Sequence, residues 1–169
     1  MDSPCPGVGG APLPRRKNLG RLQRRLERIV DPRFVFSCPE DIASYTGDGT
    51  YQDGHPELVV LPGTAAEVAA VLAAAYEEEV PVTPRGAGTG LSGGALAQGG
   101  VLLVLTRMNG LLELNKESLY AVVQPGLVTA ELHRAAAREH LFYPPDPSSA
   151  EVSTIGGNIA ENAGGAHGF

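Results

Sequence analysis

Apolar residues follow two different spacings along this chain, and the change of spacing divides it. Leu19, Leu22, Leu26, Ile29 and Val30 recur at helical intervals with arginines between them, which predicts an amphipathic helix. Asp31-Pro32 ends it, because the residue ahead of a proline disfavours helical dihedrals. Residues 33–57 show neither period and carry turn signals at Gly47-Asp48-Gly49 and Asp53-Gly54, so they are expected to be irregular. From Glu57 the pattern sharpens. Leu58-Val59-Val60-Leu61 predicts a buried strand closed by Pro62-Gly63. Thr64 with Glu67 makes a capping box, and Val68, Val71, Leu72 and Ala75 give the next helix an apolar stripe up to about Glu79. Val80-Pro81-Val82 predicts a second short strand, completing a strand–helix–strand unit of the parallel-crossover form.

The regular pattern continues with a strand at Val101–Leu105 and a hairpin of Leu111–Leu114 with Leu119–Val123. Pro125-Gly126 turns the chain into a helix from about Val128 to His140. Residues 142–169 read as loop-rich, and residues 1–14, rich in proline and glycine without a period, read as disordered. The expected organisation is a tail over 1–17, a helix with an irregular lead-in over 18–56, and a folded domain over 57–169.

Composition narrows the class. The 169 residues suffice for one domain, and hydrophobic content of 43% with charge content of 19% suits a globular core. No apolar stretch reaches the ~20 residues of a membrane span, and the start of the chain lacks the apolar region of a secretory signal. Cys5 and Cys38 are too few and too isolated for a disulfide framework or a zinc site, so a cytoplasmic setting is expected. The net charge of −6 conceals an asymmetry. Residues 1–33 carry eight basic and three acidic side chains, and the remainder five basic and sixteen acidic. The acidic main body argues against nucleic acid as a ligand, and the basic stretch reads first as the solvated face of an appended helix.

The densest chemistry lies in Pro84-Arg85-Gly86-Ala87-Gly88-Thr89-Gly90-Leu91-Ser92-Gly93-Gly94, where five of eleven residues are glycine. Such a loop lets successive main-chain N–H groups form a nest for phosphate oxygens. It follows a strand at the carboxyl end, where open α/β sheets bind ligands. Gly88-Thr-Gly90-Leu-Ser-Gly93 matches the dinucleotide spacing G-x-G-x-x-G, with Glu113 about twenty residues on. That fingerprint must open a long helix, and the seven residues Gly94–Gly100 before the next strand leave room for one turn at most. No Gly-Lys-Ser/Thr occurs, so the triphosphatase loop is excluded as well. A second cluster lies about sixty residues further on: Ser153-Thr154-Ile155-Gly156-Gly157-Asn158, then Asn162-Ala163-Gly164-Gly165. Its side chains at Ser153, Thr154, Asn158 and Asn162 add hydrogen-bonding groups. Two such clusters suit one large cofactor with a diphosphate middle and aromatic ends.

These two strings, with Pro144-Pro145-Asp146-Pro147-Ser148-Ser149 ahead of the second, resemble the FAD-binding domain of the vanillyl-alcohol oxidase/p-cresol methylhydroxylase family. Within that family the likeness is greatest to the FAD subunit of glycolate oxidase and to D-lactate dehydrogenases. It runs from about Tyr45 to Phe169 and leaves residues 1–30 out. The resemblance implies an α+β fold of two subdomains and FAD as cofactor. The pyrophosphate would lie in the loop Pro84, Arg85, Gly86, Ala87, Gly88, Thr89, Gly90, Leu91 and Ser92, mainly on main-chain N–H groups. Pro145 and Asp146, with the stretch of Ser153, Thr154, Gly156, Gly157 and Asn158, would line the flavin and its linker. Asn162 and Gly164 would lie nearby. Some relatives hold the flavin covalently through a histidine where this chain has Thr89, so the attachment is expected to be non-covalent.

Relatives of this kind continue past the second motif with a cap domain that carries substrate- and metal-binding residues. This sequence stops at Phe169, so it reads as a truncated, N-terminal part with no catalytic base or metal ligand. By itself it is expected to be inactive, with exposed sheet edges and apolar surface. The function implied is oxidation of a small 2-hydroxy acid, glycolate- or D-lactate-like, by hydride transfer to flavin, with partner subunits or an electron acceptor. Two alternatives remain: a non-catalytic FAD- or nucleotide-binding fragment or partner-binding module, and a flavin reductase of cell-wall precursors. His167, His55, His133 and His140 are expected to be surface or loop residues.

Overall fold

The computed structural model describes residues 16–168. The expected tail lies outside the described residues as far as position 15, and helix α1, Arg16–Ile29, begins at once. Its apolar stripe buries Leu22, Leu26 and Val30 almost completely. Strand β2, Leu58–Val60, is followed by α3, Ala65–Glu77, and then by β3, Val82–Arg85, and β4, Val101–Val104. The two crossover strands do not touch, because β4 lies between them and pairs in parallel with both.

The segment expected to be irregular holds short elements. Val35–Phe36 forms β1, antiparallel to β2, and Pro39–Ile42 forms α2, a single turn. The sheet order is therefore β1-β2-β4-β3. A two-residue strand has too few positions to show a period of two, which is why β1 was invisible in the pattern. The central strands are apolar throughout because both faces are covered. Leu58, Val60, Val101 and Leu103 face α1 and α3, where Val71, Ala74 and Ala75 meet Leu22, Leu26 and Val30. Val59, Leu102 and Val104 face Ile42 and Ala97, with Phe34, Phe36 and Tyr45 at the edge. Leu72, expected in the α3 stripe, is 44% exposed, and Ala74 takes its place.

The cap of α3 differs in detail from the expected box. The Thr64 hydroxyl accepts from the Glu67 amide at 3.1 Å, but the Glu67 carboxylate accepts from Gly63, one residue ahead of the cap, at 2.6 Å. At the far end of α3, Glu78 is 2% exposed and sits between two arginines of α1. Arg21 donates to it at 2.7 Å and Arg25 at 3.1 Å, while Arg25 also reaches Glu77 at 2.7 Å. The arginines hold the Glu78 carboxyl below its ordinary range, Arg21 most strongly. Part of the basic stretch thus fastens α1 to the sheet layer.

The second part of the chain is a ribbon of β5, Leu111–Asn115, and β6, Tyr120–Val123, followed by α4, Thr129–Arg138. Leu127, Leu132 and Ile155 form a small separate core there. The ribbon leaves Leu112 and Leu119 mostly exposed, in line with the apolar surface expected. The region expected to be loop contains a helix, α5, Ile155–Ala160. Two adjacent glycines in six residues cost helix propensity, so the sequence pattern does not announce it.

Candidate cofactor site

Between the β3–β4 connection and α5 lies a cavity of about 680 Å³, the size range of small-molecule and cofactor sites. The connection, residues 86–100, contains no helix, and the seven residues Gly94–Gly100 after the glycine loop run into β4 without one, as expected. Pro84 and Arg85 belong to β3 rather than to the loop, so the glycine run starts where the sheet ends. The structure brings all nine expected residues from Pro84 to Ser92 to the cavity wall. Facing them are Ser153, Thr154, Gly156, Gly157 and Asn158.

The two walls meet first at Gly86 and Thr154. A side chain on Gly86 would overlap the Thr154 hydroxyl, so that glycine permits the strand end to rest against α5's cap. Gly88 has φ of +73°, and a Cβ there would also overlap the Arg85 guanidinium. Glycine answers both demands at once. At the outer end, the Ser92 hydroxyl donates to the Glu161 carboxylate, which ties the loop to the residue after α5. A carboxylate at that end disfavours phosphate, so the anion-favouring part of the cavity is the Arg85–Thr89 end.

The opposite wall is built on a buried polar network. Thr129 at the start of α4 is fully buried, and its hydroxyl lies 2.9 Å from that of Ser153 and 3.1 Å from the Ser153 carbonyl. The Asn158 side-chain amide donates to the same hydroxyl at 2.7 Å. Ser153 and Asn158 therefore spend side-chain hydrogen bonds inward, holding α5 against α4. Thr154 caps α5, accepting from the Gly157 amide at 3.4 Å.

Four expected residues are absent from the wall: Pro145, Asp146, Asn162 and Gly164. The Pro145 carbonyl lies 2.8 Å from His133 Nε2, and the Asp146 amide donates to the Gly164 carbonyl at 2.8 Å. Pro145 is thereby tied to α4 and Asp146 to Gly164, and the neighbouring Pro147, Ser148, Ser149 and Ala163 reach the cavity instead. Leu105, Pro125 and Glu161 also line it, which the sequence pattern does not predict. Glu161 falls between the two halves of the second cluster, whereas Thr129 carries no signal, because its role depends on α4 and α5 meeting. None of His55, His133, His140 and His167 lines the cavity.

Arg85 is the single basic side chain of this wall, 8% exposed, and its Nη1 is buried without a hydrogen-bond partner. Burial pushes its pKa down, an effect partly offset by Asp48 and Tyr45. A cleft with an orphaned guanidinium nitrogen and glycine main chain at one end fits a cofactor with a negatively charged middle.

Comparison with known proteins agrees. A family model described as "FAD binding domain" matches residues 56–169. The glycolate oxidase subunit GlcD of Escherichia coli (strain K12) is 49% identical over 136 residues, 79% of this chain and 27% of that protein. A D-lactate dehydrogenase of Anaerostipes hadrus is 40% identical over 139 residues, 80% of this chain and 29% of that protein. Among solved structures, substrate-bound p-cresol methylhydroxylase superposes with a TM-score of 0.72 at 18% identity, covering 87% of this chain and 30% of that one. The chain thus spans under a third of the length of these relatives. Its α+β architecture is the p-cresol methylhydroxylase type expected from the two motifs. The family match makes FAD the cofactor, and position 89, where some relatives were expected to carry a flavin-linking histidine, is a threonine. The chain belongs to the FAD-binding domain family of flavin oxidoreductases.

Proposed function

We propose that this chain is the FAD-binding part of an oxidoreductase acting on a small 2-hydroxy acid of the glycolate or D-lactate type. The observation that carries the reading is the pairing of both motifs on one cavity, in a chain 40–49% identical to a glycolate oxidase subunit and a D-lactate dehydrogenase. When bound, the flavin supplies the hydride acceptor for the substrate's α-carbon. The residues of this chain hold and orient it. Main chain of Gly86–Thr89 takes the diphosphate, and α5 with Thr154 forms the facing wall. The only carboxylate of the wall, Glu161, accepts a hydrogen bond from Ser92. A subunit partner fits the reading, as one relative is named as a subunit.

Flavin content tests the first half. The purified chain is expected to retain close to one FAD, released on denaturation, and a colourless protein that FAD cannot reconstitute would reject the reading. Anaerobic mixing with glycolate or D-lactate tests the second half, on flavin-loaded enzyme in which this chain is joined to the rest of the GlcD length that it does not span, because the chain by itself is expected to be inactive. Bleaching by either is expected; bleaching by phenolic alcohols alone would move the protein to another branch of the family.

A further inference from the structure

Arg85 is a conspicuous loose end in the charge pattern of the molecule. It ends β3, is 8% exposed, and makes no side-chain hydrogen bond or ion pair among the described residues, with Nη1 fully enclosed. Its guanidinium lies under the glycine loop, in the space a side chain at Gly88 would take. A second orphan lies close by. Asp48 Oδ2 is buried and unpartnered, although its other oxygen accepts from the Thr50 amide at 2.7 Å. The Asp48 turn is fixed to the same loop, since the Gly49 amide donates to the Gly90 carbonyl at 3.0 Å. These two side chains attract each other, yet no ion pair within 4.0 Å forms between them. A buried guanidinium is costly without a partner in contact, and here a ligand can supply one that the protein does not.

We propose that Arg85 is the cation that recognises the FAD diphosphate from beneath the glycine loop, and that Asp48 is an internal competitor for it. This rests on the FAD reading above and adds a charge role where the sequence pointed mainly to main-chain groups. The guanidinium suits the task because its donors form a rigid fork matched to phosphate oxygens. Held under Gly88, it lies at the end of the cavity where no carboxylate lines the wall. Asp48 keeps the site from carrying an uncompensated charge before the cofactor arrives and weakens its grip once the cofactor is in place. The two residues therefore act on affinity with opposite signs.

FAD titrations of the full chain, followed by flavin fluorescence at low and high NaCl, test this. Arg85→Gln is expected to raise the Kd for FAD about ten- to a hundredfold and to flatten its salt dependence, with Arg85→Lys recovering part of the loss. Asp48→Asn is expected to lower the Kd about two- to tenfold. A structural prop under the loop would not produce that gain. An Arg85→Gln Kd within threefold of wild type overturns the proposal, and so does an Asp48→Asn Kd that is unchanged or raised. If Arg85→Gln does not fold, the Lys and Asp48→Asn variants decide on the same criteria. Wild-type protein that binds no FAD would instead reject the cofactor reading and this proposal with it.

Discussion

On one side of the cavity the chain crosses from β3 to β4 over fifteen residues without regular structure; on the other it winds into α5, six residues long. Both stretches are glycine-rich, for different physical reasons. In the crossing, Gly88 takes a left-handed φ and leaves room for a guanidinium, so the loop is shaped by what lies beneath it. In α5, Gly156 allows the helix to lie against Pro125, where a Cβ would come within 2.7 Å of the proline ring, and its amide donates to the Pro125 carbonyl at 2.8 Å. One wall is main chain with few fixed partners. The other is a helix locked by Thr129, Ser153 and Asn158. A ligand therefore meets an adaptable surface and a rigid one, and perturbing each should produce a different kind of loss.

The largest effect is expected where the walls touch. Gly86→Val would push the strand end away from Thr154 and should raise the FAD Kd by more than about a hundredfold, with the sheet core still folded. Titration with FAD and far-UV circular dichroism check both parts, and tight binding in this variant would show that the contact does not set the cavity. Next comes the rigid wall. Thr129→Val keeps the shape but removes the shared hydroxyl, leaving the Asn158 amide and Ser153 hydroxyl buried with unmet hydrogen bonds. At about 1–3 kcal/mol per unsatisfied group, urea denaturation should register a loss of a few kcal/mol, with a smaller change in FAD affinity than Gly86→Val gives. A loss of affinity without a loss of stability would mean the network shapes the site rather than supports the fold.

The smallest effect on the site is expected from the helix clamp, remote from both walls. Because the folded-state pKa of Glu78 is depressed, its pairing with Arg21 and Arg25 contributes stability above the ordinary carboxylate range. That contribution is lost as pH falls through the depressed value. Glu78→Gln should therefore lower Tm at neutral pH and narrow the Tm gap to wild type in acid, while FAD affinity at neutral pH stays within about twofold. Thermal melts across a pH series provide the measurement, and a gap independent of pH would assign the clamp to packing rather than charge.

The legible part of this molecule was whatever repeats locally. The helical spacing from Leu19 to Val30, the apolar runs at 58–61 and 101–105 and the hairpin around Asn115–Ser118 each declare themselves over a few residues, and each is present. The glycine loop was legible in the same way, because the seven residues that follow it are too few for the long helix of the dinucleotide fingerprint. Illegible were the features that need two distant segments. β1 exists because β2 offers it an edge, and α5 holds its glycines in helical form because α4 and Pro125 grip it.

Sequence alone pointed to a diphosphate-bearing cofactor and, through the resemblance of its two motifs, to the family and FAD, since a glycine nest and its strand are local properties of the chain. Tertiary structure decided which atoms remain available there. Asn158 and Ser153 turned inward to Thr129, Ser92 was taken by Glu161, the Pro145 carbonyl by His133 and the Asp146 amide by Gly164. Arg85 alone among the expected polar side chains kept a buried donor unspent. A hydrogen bond, once made, removes its partners from other use, and only the folded chain shows which have been made.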